Sequence, residues 1–368
     1  MQKSIPVSEP ALSGNEKQYV LDCLESNWIS SNGKYIGAFE KGFADFCGVR
    51  HALSCANGTV ALHLALLGLG IKPGDEVIVP TLTYVATANA VVYCGAKPVF
   101  VDSDPLTWNM APAEVERAIT PQTRAIIIVH IYGCPAEMDA LLGIARRHGL
   151  YVIEDAAEAH GAEYDQKRVG SFGDVSTFSF YGNKIITTGE GGMVTTNDST
   201  LAARMLQIKG QGMDPQRRYW FPIIGYNYRM TNIEAAIGLA QLEKIDWHIQ
   251  RRIEIARRYQ ANLAGEKVSF QPEPAKGRNV YWMTSLVLDE GIGISRDELR
   301  EKLAASGIET RPFFYPLHTL PMYAVDSTGK SFPVASRLSA QGINLPSYSS
   351  LEDSDIDFVC TAIQATLR

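Results

Sequence analysis

One lysine of the sequence stands where its amine is suited to chemistry. Lys184 lies in the mostly apolar loop 181–192, which follows the strand-like run Asp174–Phe180 and ends in glycines. Apolar neighbours disfavour the ammonium form, so they lower the pKa of the amine and free it as a nucleophile or base. The ordinary alternative is a half-buried lysine whose amine reaches solvent. The loop makes Lys184 a candidate catalytic residue.

Two carboxylates follow a second apolar run. Asp155 ends the run Tyr151–Asp155, and Glu158 stands three residues further along the chain. Pyridoxal-phosphate enzymes need a lysine amine that bonds to the cofactor aldehyde and a carboxylate that keeps the pyridine nitrogen protonated. Lys184 and Asp155 meet these two needs. The pair therefore predicts a pyridoxal 5′-phosphate site.

The turn Ser54–Thr59 is suited to the phosphate of that cofactor. It follows a strand-like run and precedes an apolar helix, whose first N–H groups would bind an anion. Gly58 permits close approach of the backbone, and Thr59 adds a hydroxyl group. Tyr84, just beyond another strand-like run, is a candidate to stack on the pyridine ring. Such turns and core tyrosines are common, so both assignments depend on the lysine and carboxylate described above.

Strand and helix patterns alternate through residues 50–200 and predict an α/β fold with a mostly parallel sheet covered by helices on both faces. Ligands of such sheets bind beyond the carboxyl ends of the strands, where Asp155 and Lys184 lie. The predicted strands are His51–Cys55, Glu76–Pro80, Pro98–Asp102, Ala125–His130, Tyr151–Asp155, Val175–Phe180 and Gly192–Thr196. The predicted helices are Thr59–Leu69, Val85–Tyr93, Pro112–Ile119 and Met138–His148.

The later part of the chain predicts a second, smaller domain. Residues 231–262 indicate one or two long helices. The elements expected after them are a strand at Trp282–Leu288, a helix at Arg296–Ser306 and a closing helix at Glu352–Leu367. The predicted division is an extended N-terminal arm over residues 1–12, a large cofactor domain over 13–245 and a small C-terminal α+β domain over 246–368.

The composition is that of an ordinary globular protein, with 368 residues, of which 46% are hydrophobic and 20% charged. A net charge of −6 argues against general affinity for nucleic acid or anionic membranes. No apolar run is long enough for a transmembrane helix, and residues 1–6 lack the apolar region of a signal peptide. The six cysteines form no CxxC motif and the seven histidines show no metal-ligand spacing. We expect a cytoplasmic protein with reduced thiols and without a metal.

The sequence resembles the DegT/DnrJ/EryC1/StrS family of nucleotide-sugar aminotransferases from Ile5 to Leu367. The resemblance is carried by the Lys184 loop, by residues 155–161 and by the segment Gly225–Arg229. It implies the fold type I aminotransferase architecture, in which a large cofactor domain with a mostly parallel mixed sheet flanked by helices precedes a small α+β domain. It also implies a homodimer in which Asn227 reaches the cofactor of the neighbouring subunit. The cofactor-binding residues that it implies are Gly58, Thr59, Tyr84, Asp155, Glu158, Ser179, Lys184 and Asn227, of which Lys184 and Asp155 are catalytic.

Two positions bear on the substrate that the resemblance implies. Many relatives have Gln at the position of Glu158, and a Glu there resembles the branch of the family that acts on GDP-sugars. Relatives that catalyse dehydration carry His at the position of Lys184, so the lysine favours an aminotransferase. The implied reaction transfers the amino group of L-glutamate to C4 of GDP-4-keto-6-deoxy-mannose, for O-antigen or another surface polysaccharide. The substrate-binding residues that it implies are Trp28, Ser30, Arg217, Tyr219, Arg229 and His318. Tyr348 stands where many relatives have His, so no role of that histidine is carried over.

Three alternatives stay open at this point. The first is an aminotransferase that acts on a UDP- or dTDP-keto-sugar, or that transfers the amino group to C3. Alternatively, the chain is a cofactor-binding regulatory or scaffold protein, because a fold does not fix a function. The third alternative is a nucleic-acid-binding protein, in which the basic and aromatic cluster Arg217–Trp220 would form the binding surface. A single cluster on an acidic chain suits an anionic nucleotide-sugar better than a nucleic acid.

Overall fold

Residues 4–368 are described by a computed structural model. Its α-helices are α1 Glu16–Glu25, α2 Lys34–Cys47, α3 Gly58–Leu69, α4 Ala86–Tyr93, α5 Pro112–Ala118, α6 Met138–His148, α7 Ser199–Lys209, α8 Asn232–Leu242, α9 Ile245–Asn262, α10 Arg296–Ala305, α11 Pro333–Gln341 and α12 Asp353–Leu367. Its strands are β1 His51–Cys55, β2 Glu76–Pro80, β3 Lys97–Val101, β4 Thr123–Val129, β5 Tyr151–Asp155, β6 Glu163–Tyr164, β7 Lys167–Arg168, β8 Val175–Ser179, β9 Gly192–Thr196, β10 Val268–Phe270, β11 Gly277–Arg278, β12 Thr284–Leu288, β13 Arg311–Pro312 and β14 Gly342–Leu345. Short 3₁₀ helices lie at Ile131–Gly133, Leu317–Thr319 and Val325–Ser327.

Within residues 4–368 the largest sheet has seven strands in the order β1-β9-β8-β5-β4-β2-β3. Strands β3, β2, β4, β5 and β8 run parallel, whereas β9 pairs antiparallel with both β8 and β1. Successive side chains of β4 pack on opposite faces of the sheet. Ile126 and Ile128 pack in a cluster with residues of α5 and α6, and Ile127 packs in the cluster that contains α3 and α4. Coverage on both faces explains why this strand is apolar almost throughout.

A second hydrophobic centre forms around the later part of the chain. A four-stranded antiparallel sheet, β10-β12-β14-β13, packs against α10 and α12. Helix α9 contributes to both centres, because Ile249 and Ile253 belong to the first cluster and Ile255 and Tyr259 to the second. The division of the chain at residue 245 stays a prediction.

The described part of the N-terminal segment, residues 4–12, joins the later part of the chain. The backbone N–H of Ile5 donates to the carbonyl of Gly307 at 2.8 Å, and its carbonyl accepts from the N–H of Glu309 at 2.9 Å. Further along, the carbonyl of Val7 accepts from the N–H of Ser347 at 3.0 Å. Residues 1–3 of the predicted arm lie outside the described residues.

The predicted α/β architecture is confirmed, with one antiparallel strand, β9, inside the mostly parallel sheet. Helices α1, α2, α7 and α11 are additional to the predicted elements, and several predicted ends move by one or two residues. Residues 231–262 form two helices, because α8 ends at Leu242 and α9 begins at Ile245. Across the described chain, no helix has both the length and the apolar character needed to cross a membrane.

Candidate active site

The carboxyl ends of the parallel strands bring the predicted catalytic residues together. Asp155 is the last residue of β5, and Lys184 follows the end of the neighbouring strand β8. The two strands are paired in register, with Asp155 opposite Thr177. The tight turn after β5 places Glu158 beside the same edge, where its Oε1 lies 3.9 Å from Nζ of Lys184. One amine therefore faces a buried carboxylate at the strand ends.

Burial dominates the electrostatics of this group. It raises the pKa of Asp155 and raises the pKa of Glu158 to about 7, and it lowers the pKa of Lys184. Hydrogen bonds act against burial at both carboxylates. The hydroxyl of Thr87 donates to Asp155 at 2.8 Å, and the backbone N–H of Tyr132 donates to Glu158 at 2.7 Å. A lysine with a lowered pKa can act as a base near neutral pH.

Glu158→Gln should change the pH dependence of stability in the cofactor-free protein. The folded chain raises the pKa of this carboxyl from 4.5 to about 7, so its proton stabilises the fold fully below the lower value. That stabilisation is lost as the pH rises to about 7. Over this window we expect the free energy of unfolding of the parent to fall relative to the variant, by at most about 3 kcal/mol. Urea titrations at several pH values would measure the difference, and parallel curves for the two proteins would contradict it.

Glu154 lies on the opposite face of β5 from Asp155, because successive side chains of a strand alternate. Its carboxylate accepts from the N–H groups of Phe172 and Gly173 at 2.7 and 2.9 Å and from the ring of His130 at 3.2 Å. The other ring nitrogen of His130 accepts from a backbone N–H, so Nε2 carries the proton. Burial alone would raise the pKa of Glu154, but these donors bring it below its ordinary value. Glu154 is therefore occupied elsewhere and cannot replace Asp155.

Glu154→Gln should destabilise the protein by about 2–4 kcal/mol, because an amide cannot accept from all of these buried donors. Chemical unfolding would measure the loss. The control is Glu163→Gln, which removes a partly exposed partner of Arg278 and should cost less than about 1 kcal/mol. Equal stability of the two variants would show that the Glu154 contacts are energetically unimportant.

The turn predicted to hold phosphate is built by three strands. Cys55 of β1 and Ser179 of β8 both pair with Gly192 of β9, which brings the start of α3 beside Ser179. A Cβ on Gly58 would lie 2.8 Å from the Cβ of Ser179, so only glycine fits there without a shift. Asn57 caps α3 by accepting from a backbone N–H in its first turn. The result is a small cradle of helix N–H groups with the hydroxyls of Thr59 and Ser179 beside it.

Tyr84 and His318 lie at another edge of the site. The Tyr84 ring is exposed and packs against Phe314, with 5.8 Å between ring centroids. The ring of His318 lies 2.7 Å from the hydroxyl of Thr81, which directly follows β2. Burial lowers the pKa of His318. The structure thus places His318 at the carboxyl end of β2, which lies shortly before Tyr84 in the chain. The role of His318 in substrate binding stays a prediction.

Other predicted substrate residues contact different parts of the chain. The carbonyls of Trp28 and Ser30 accept from Asn232 at the start of α8, each at 2.7 Å. The guanidinium of Arg217 packs on the ring of the nearby Trp220, 4.3 Å from its centroid, and Tyr219 is exposed. These contacts are separate from the Lys184 group. The substrate roles of these residues stay predictions.

The segment that carries Asn227 and Arg229 is anchored by its backbone. The carbonyl of Tyr228 accepts from the N–H of Ala56 at 2.9 Å, so this segment lies beside the phosphate turn of its own chain. Both side chains are exposed, and Nε of Arg229 donates to the Asn227 side chain at 3.2 Å. Their position leaves them available to another molecule.

Three contacts of the group are additional to the predicted residues. The hydroxyl of Thr87 donates to Asp155 from the first turn of α4. Its position three residues after Tyr84 is the sequence signal that could have identified it. Tyr132, whose N–H binds the Glu158 carboxylate, has a φ of 56° that a sequence pattern does not reveal. The ring of Trp282 lies 3.8 Å from Nζ of Lys184. Trp282 is far from Lys184 along the chain, so a local sequence pattern does not predict this contact.

These residues fit pyridoxal 5′-phosphate. A buried amine with a lowered pKa suits the aldehyde, and the carboxylates suit the polar atoms of the ring. The start of α3 can lie against Ser179 because residue 58 has no Cβ. The residues that would hold the cofactor are Lys184 at the aldehyde, Asp155 at the pyridine nitrogen, Glu158 at the phenolic oxygen, Tyr84 against the ring, and Gly58, Thr59 and Ser179 at the phosphate. Across residues 4–368, no group of three or more His, Cys, Asp or Glu side chains is arranged to hold a metal ion.

The fold and this site define a pyridoxal-phosphate-dependent aminotransferase of fold type I. Residues 10–364 match the DegT/DnrJ/EryC1/StrS aminotransferase family. The chain is 55% identical to a GDP-perosamine synthase of Caulobacter vibrioides, covering 99% of this chain and 98% of that protein. A GDP-perosamine synthase of Escherichia coli is 53% identical, with 98% of each chain covered. The crystal structure of S. venezuelae DesV superposes with a TM-score of 0.92 at 36% identity, over 99% of both chains. The chain belongs to the DegT/DnrJ/EryC1/StrS aminotransferase family.

Proposed function

We propose that the protein transfers the amino group of L-glutamate to C4 of GDP-4-keto-6-deoxy-D-mannose. The products are GDP-perosamine and 2-oxoglutarate, and the amino sugar serves O-antigen or another surface polysaccharide. The observation that carries this proposal is the identity of 55% and 53% to two GDP-perosamine synthases over nearly the whole chain. Lys184 agrees with it, because a transaminating site needs a basic amine at this position. A cytoplasmic location belongs to the same proposal, supported by six buried free cysteines.

Lys184 makes both proton transfers, and the two carboxylates act on the cofactor ring. Bound pyridoxal phosphate withdraws electrons from the carbon that carries the transferred nitrogen. The neutral amine of Lys184 removes the proton from Cα of glutamate, and as an ammonium group it later donates a proton to C4 of the sugar. Asp155 would hold the pyridine nitrogen and supply negative charge there. Glu158, whose pKa burial raises to about 7 in the cofactor-free chain, would hold the phenolic oxygen and supply a hydrogen bond there.

Comparison of nucleotide-sugars tests the substrate directly. With saturating L-glutamate, we expect kcat/KM for GDP-4-keto-6-deoxy-mannose to exceed that for UDP- and dTDP-linked 4-keto-6-deoxy sugars by about 10²-fold or more. Equal or faster turnover of a UDP or dTDP sugar would assign the protein to that substrate class. Cofactor absorbance that glutamate leaves unchanged would instead favour a regulatory protein on the same fold.

The proposal includes a homodimer with shared active sites. The segment 220–224 exposes large apolar side chains that a lone chain would leave in water, with Trp220 50%, Phe221 52% and Ile224 88% exposed. Leu21, Leu24 and Trp28 of another segment are each more than half exposed as well. A second copy related by a two-fold axis is the simplest partner for such surfaces. Asn227 and Arg229 would then complete the cofactor site of the partner.

Mixed dimers test the shared site. Chains with Lys184→Ala are combined with chains that carry Asn227→Ala and Arg229→Ala. If the sites are shared, one site of each mixed dimer has both an intact lysine and an intact partner segment, and about a quarter of parental activity should return after random exchange. Exchange is verified with differently tagged chains. Activity no greater than the sum of the two inactive parents would show that each chain completes its own site.

A further inference from the structure

Arg252 is a buried cation in the middle of α9. It is 2% exposed, and burial lowers its pKa to about 10. Its guanidinium donates to three backbone carbonyls, those of Trp282 at 2.7 Å, Ser347, and Lys184 at 3.5 Å. The ion pairs of the described chain include none that joins this guanidinium to a carboxylate. Burying a charge without an opposite charge costs free energy, so the hydrogen bonds to these three carbonyls must offset the loss of hydration.

Trp282 contacts the same loop as Arg252. Its indole N–H donates to the carbonyl of Asn183 at 2.7 Å, and its ring lies 3.8 Å from Nζ of Lys184. Two consecutive carbonyls of the loop, at residues 183 and 184, are thus held by Trp282 and Arg252. Arg252 also holds the carbonyl of Trp282 itself. The arginine, the tryptophan and the loop form one connected unit, which we call the 252–282 clamp.

We propose that Arg252 and Trp282 are positioning residues for Lys184. Once its amine is free, Lys184 has a long flexible side chain that must keep one geometry through two proton transfers. The face of the Trp282 ring attracts the ammonium form and occupies the space into which the side chain could turn. The clamp fixes the backbone from which that side chain starts. This inference rests on the proposed function for its kinetic part only.

A purely structural role makes a different prediction. Trp282 also packs against Tyr132, with 6.3 Å between stacked rings, so its loss should lower stability whatever its role at the lysine. Stability alone therefore decides nothing. Positioning should lower kcat while the KM for the nucleotide-sugar stays the same, and it should loosen the catalytic loop selectively. The loop contains protected amides that report on this, since the N–H groups of Lys184 and Thr188 both donate to backbone carbonyls.

The test uses Trp282→Phe, which keeps an aromatic face but removes the indole donor, and Arg252→Lys, which keeps the charge but loses the planar fork. The matched control is Trp108→Phe, because Trp108 is as deeply buried and packs against Phe313, with 5.4 Å between the ring centroids. Each full-length variant is measured by thermal unfolding, by kcat and KM, and by amide hydrogen exchange without cofactor. If Arg252→Lys does not fold, Trp282→Phe alone decides.

We expect both clamp variants to lose about 10-fold or more in kcat, with KM for the nucleotide-sugar within about 2-fold of the parent. Exchange in the peptide that covers residues 181–189 should accelerate by about 10-fold, while peptides from α7 stay unchanged. Trp108→Phe should show neither effect. Loop exchange and kcat that change no more than in this control would overturn the proposal. The exchange measurement needs no substrate, so it separates a failure of this inference from a failure of the proposed reaction.

Discussion

Replacement of Lys184 by alanine is expected to lower turnover by about 10³-fold or more while the protein stays folded. The methyl group can neither bond to the cofactor aldehyde nor act as the base that removes the proton from Cα of glutamate and the acid that later donates a proton to C4 of the sugar. The fold should survive, because the loop is held by backbone hydrogen bonds and by the buried Ile185 and Ile186 rather than by the amine. Steady-state kinetics and thermal unfolding of the same preparation would measure both effects.

The control for this variant is Lys276→Ala. The Lys276 ammonium is exposed and pairs with Asp139 at the surface, so its loss should leave turnover within about 2-fold of the parent. A small primary amine added to the Lys184→Ala protein should restore part of the proton transfer, and should do nothing for the control. Retention of more than a few per cent of parental turnover in Lys184→Ala would remove this lysine from its role.

Asp155→Asn is expected to lower kcat by about 10²-fold or more with little loss of cofactor binding. The amide keeps nearly the shape of the carboxylate and can still accept from the hydroxyl of Thr87. It lacks the charge that favours a protonated pyridine nitrogen, so the electron-withdrawing power of the cofactor falls. Kinetics together with the cofactor absorbance of the purified variant would separate a loss of chemistry from a loss of cofactor.

Thr87→Val gives the graded comparison for Asp155. It removes one hydrogen bond that holds the carboxylate ionised, while the charge itself remains. We expect a loss of about 10-fold, smaller than that of Asp155→Asn. Near-parental kcat in Asp155→Asn would show that another group keeps the pyridine nitrogen protonated. Glu154 could not be that group, because its carboxylate is bound on the other face of β5.

The sequence predicts the residues that follow the strands better than the residues that approach from elsewhere. Asp155 and Lys184 could be placed together because the ends of parallel strands share one edge of a sheet, and the pairing of β5 with β8 confirms their proximity. Gly58 and Ser179 meet because β1, which ends shortly before Gly58, and β8, which ends at Ser179, both pair with β9. The order of residues along the chain and the directions of the strands therefore explain why most residues of the candidate site lie close together.

The contacts that the sequence could not predict depend on packing between distant segments. Trp282 stands two residues before β12, where the pattern predicts the start of a strand, yet its ring lies against the amine of Lys184. Arg252 lies on a helix rich in basic residues, where an arginine is ordinarily a solvated side chain. Tyr132 contributes a backbone N–H, which its residue type does not signal. None of these contacts follows from periodicity or from spacing along the chain.

The most direct test of the proposed reaction follows the nitrogen atom. The purified protein is incubated with pyridoxal phosphate, ¹⁵N-labelled L-glutamate and GDP-4-keto-6-deoxy-mannose, and the products are examined by mass spectrometry and NMR. We predict an amino sugar linked to GDP that carries the label on C4, together with an equal amount of 2-oxoglutarate. Recovery of unchanged keto-sugar, loss of the sugar oxygen without gain of nitrogen, or a label on C3 would contradict the proposed function.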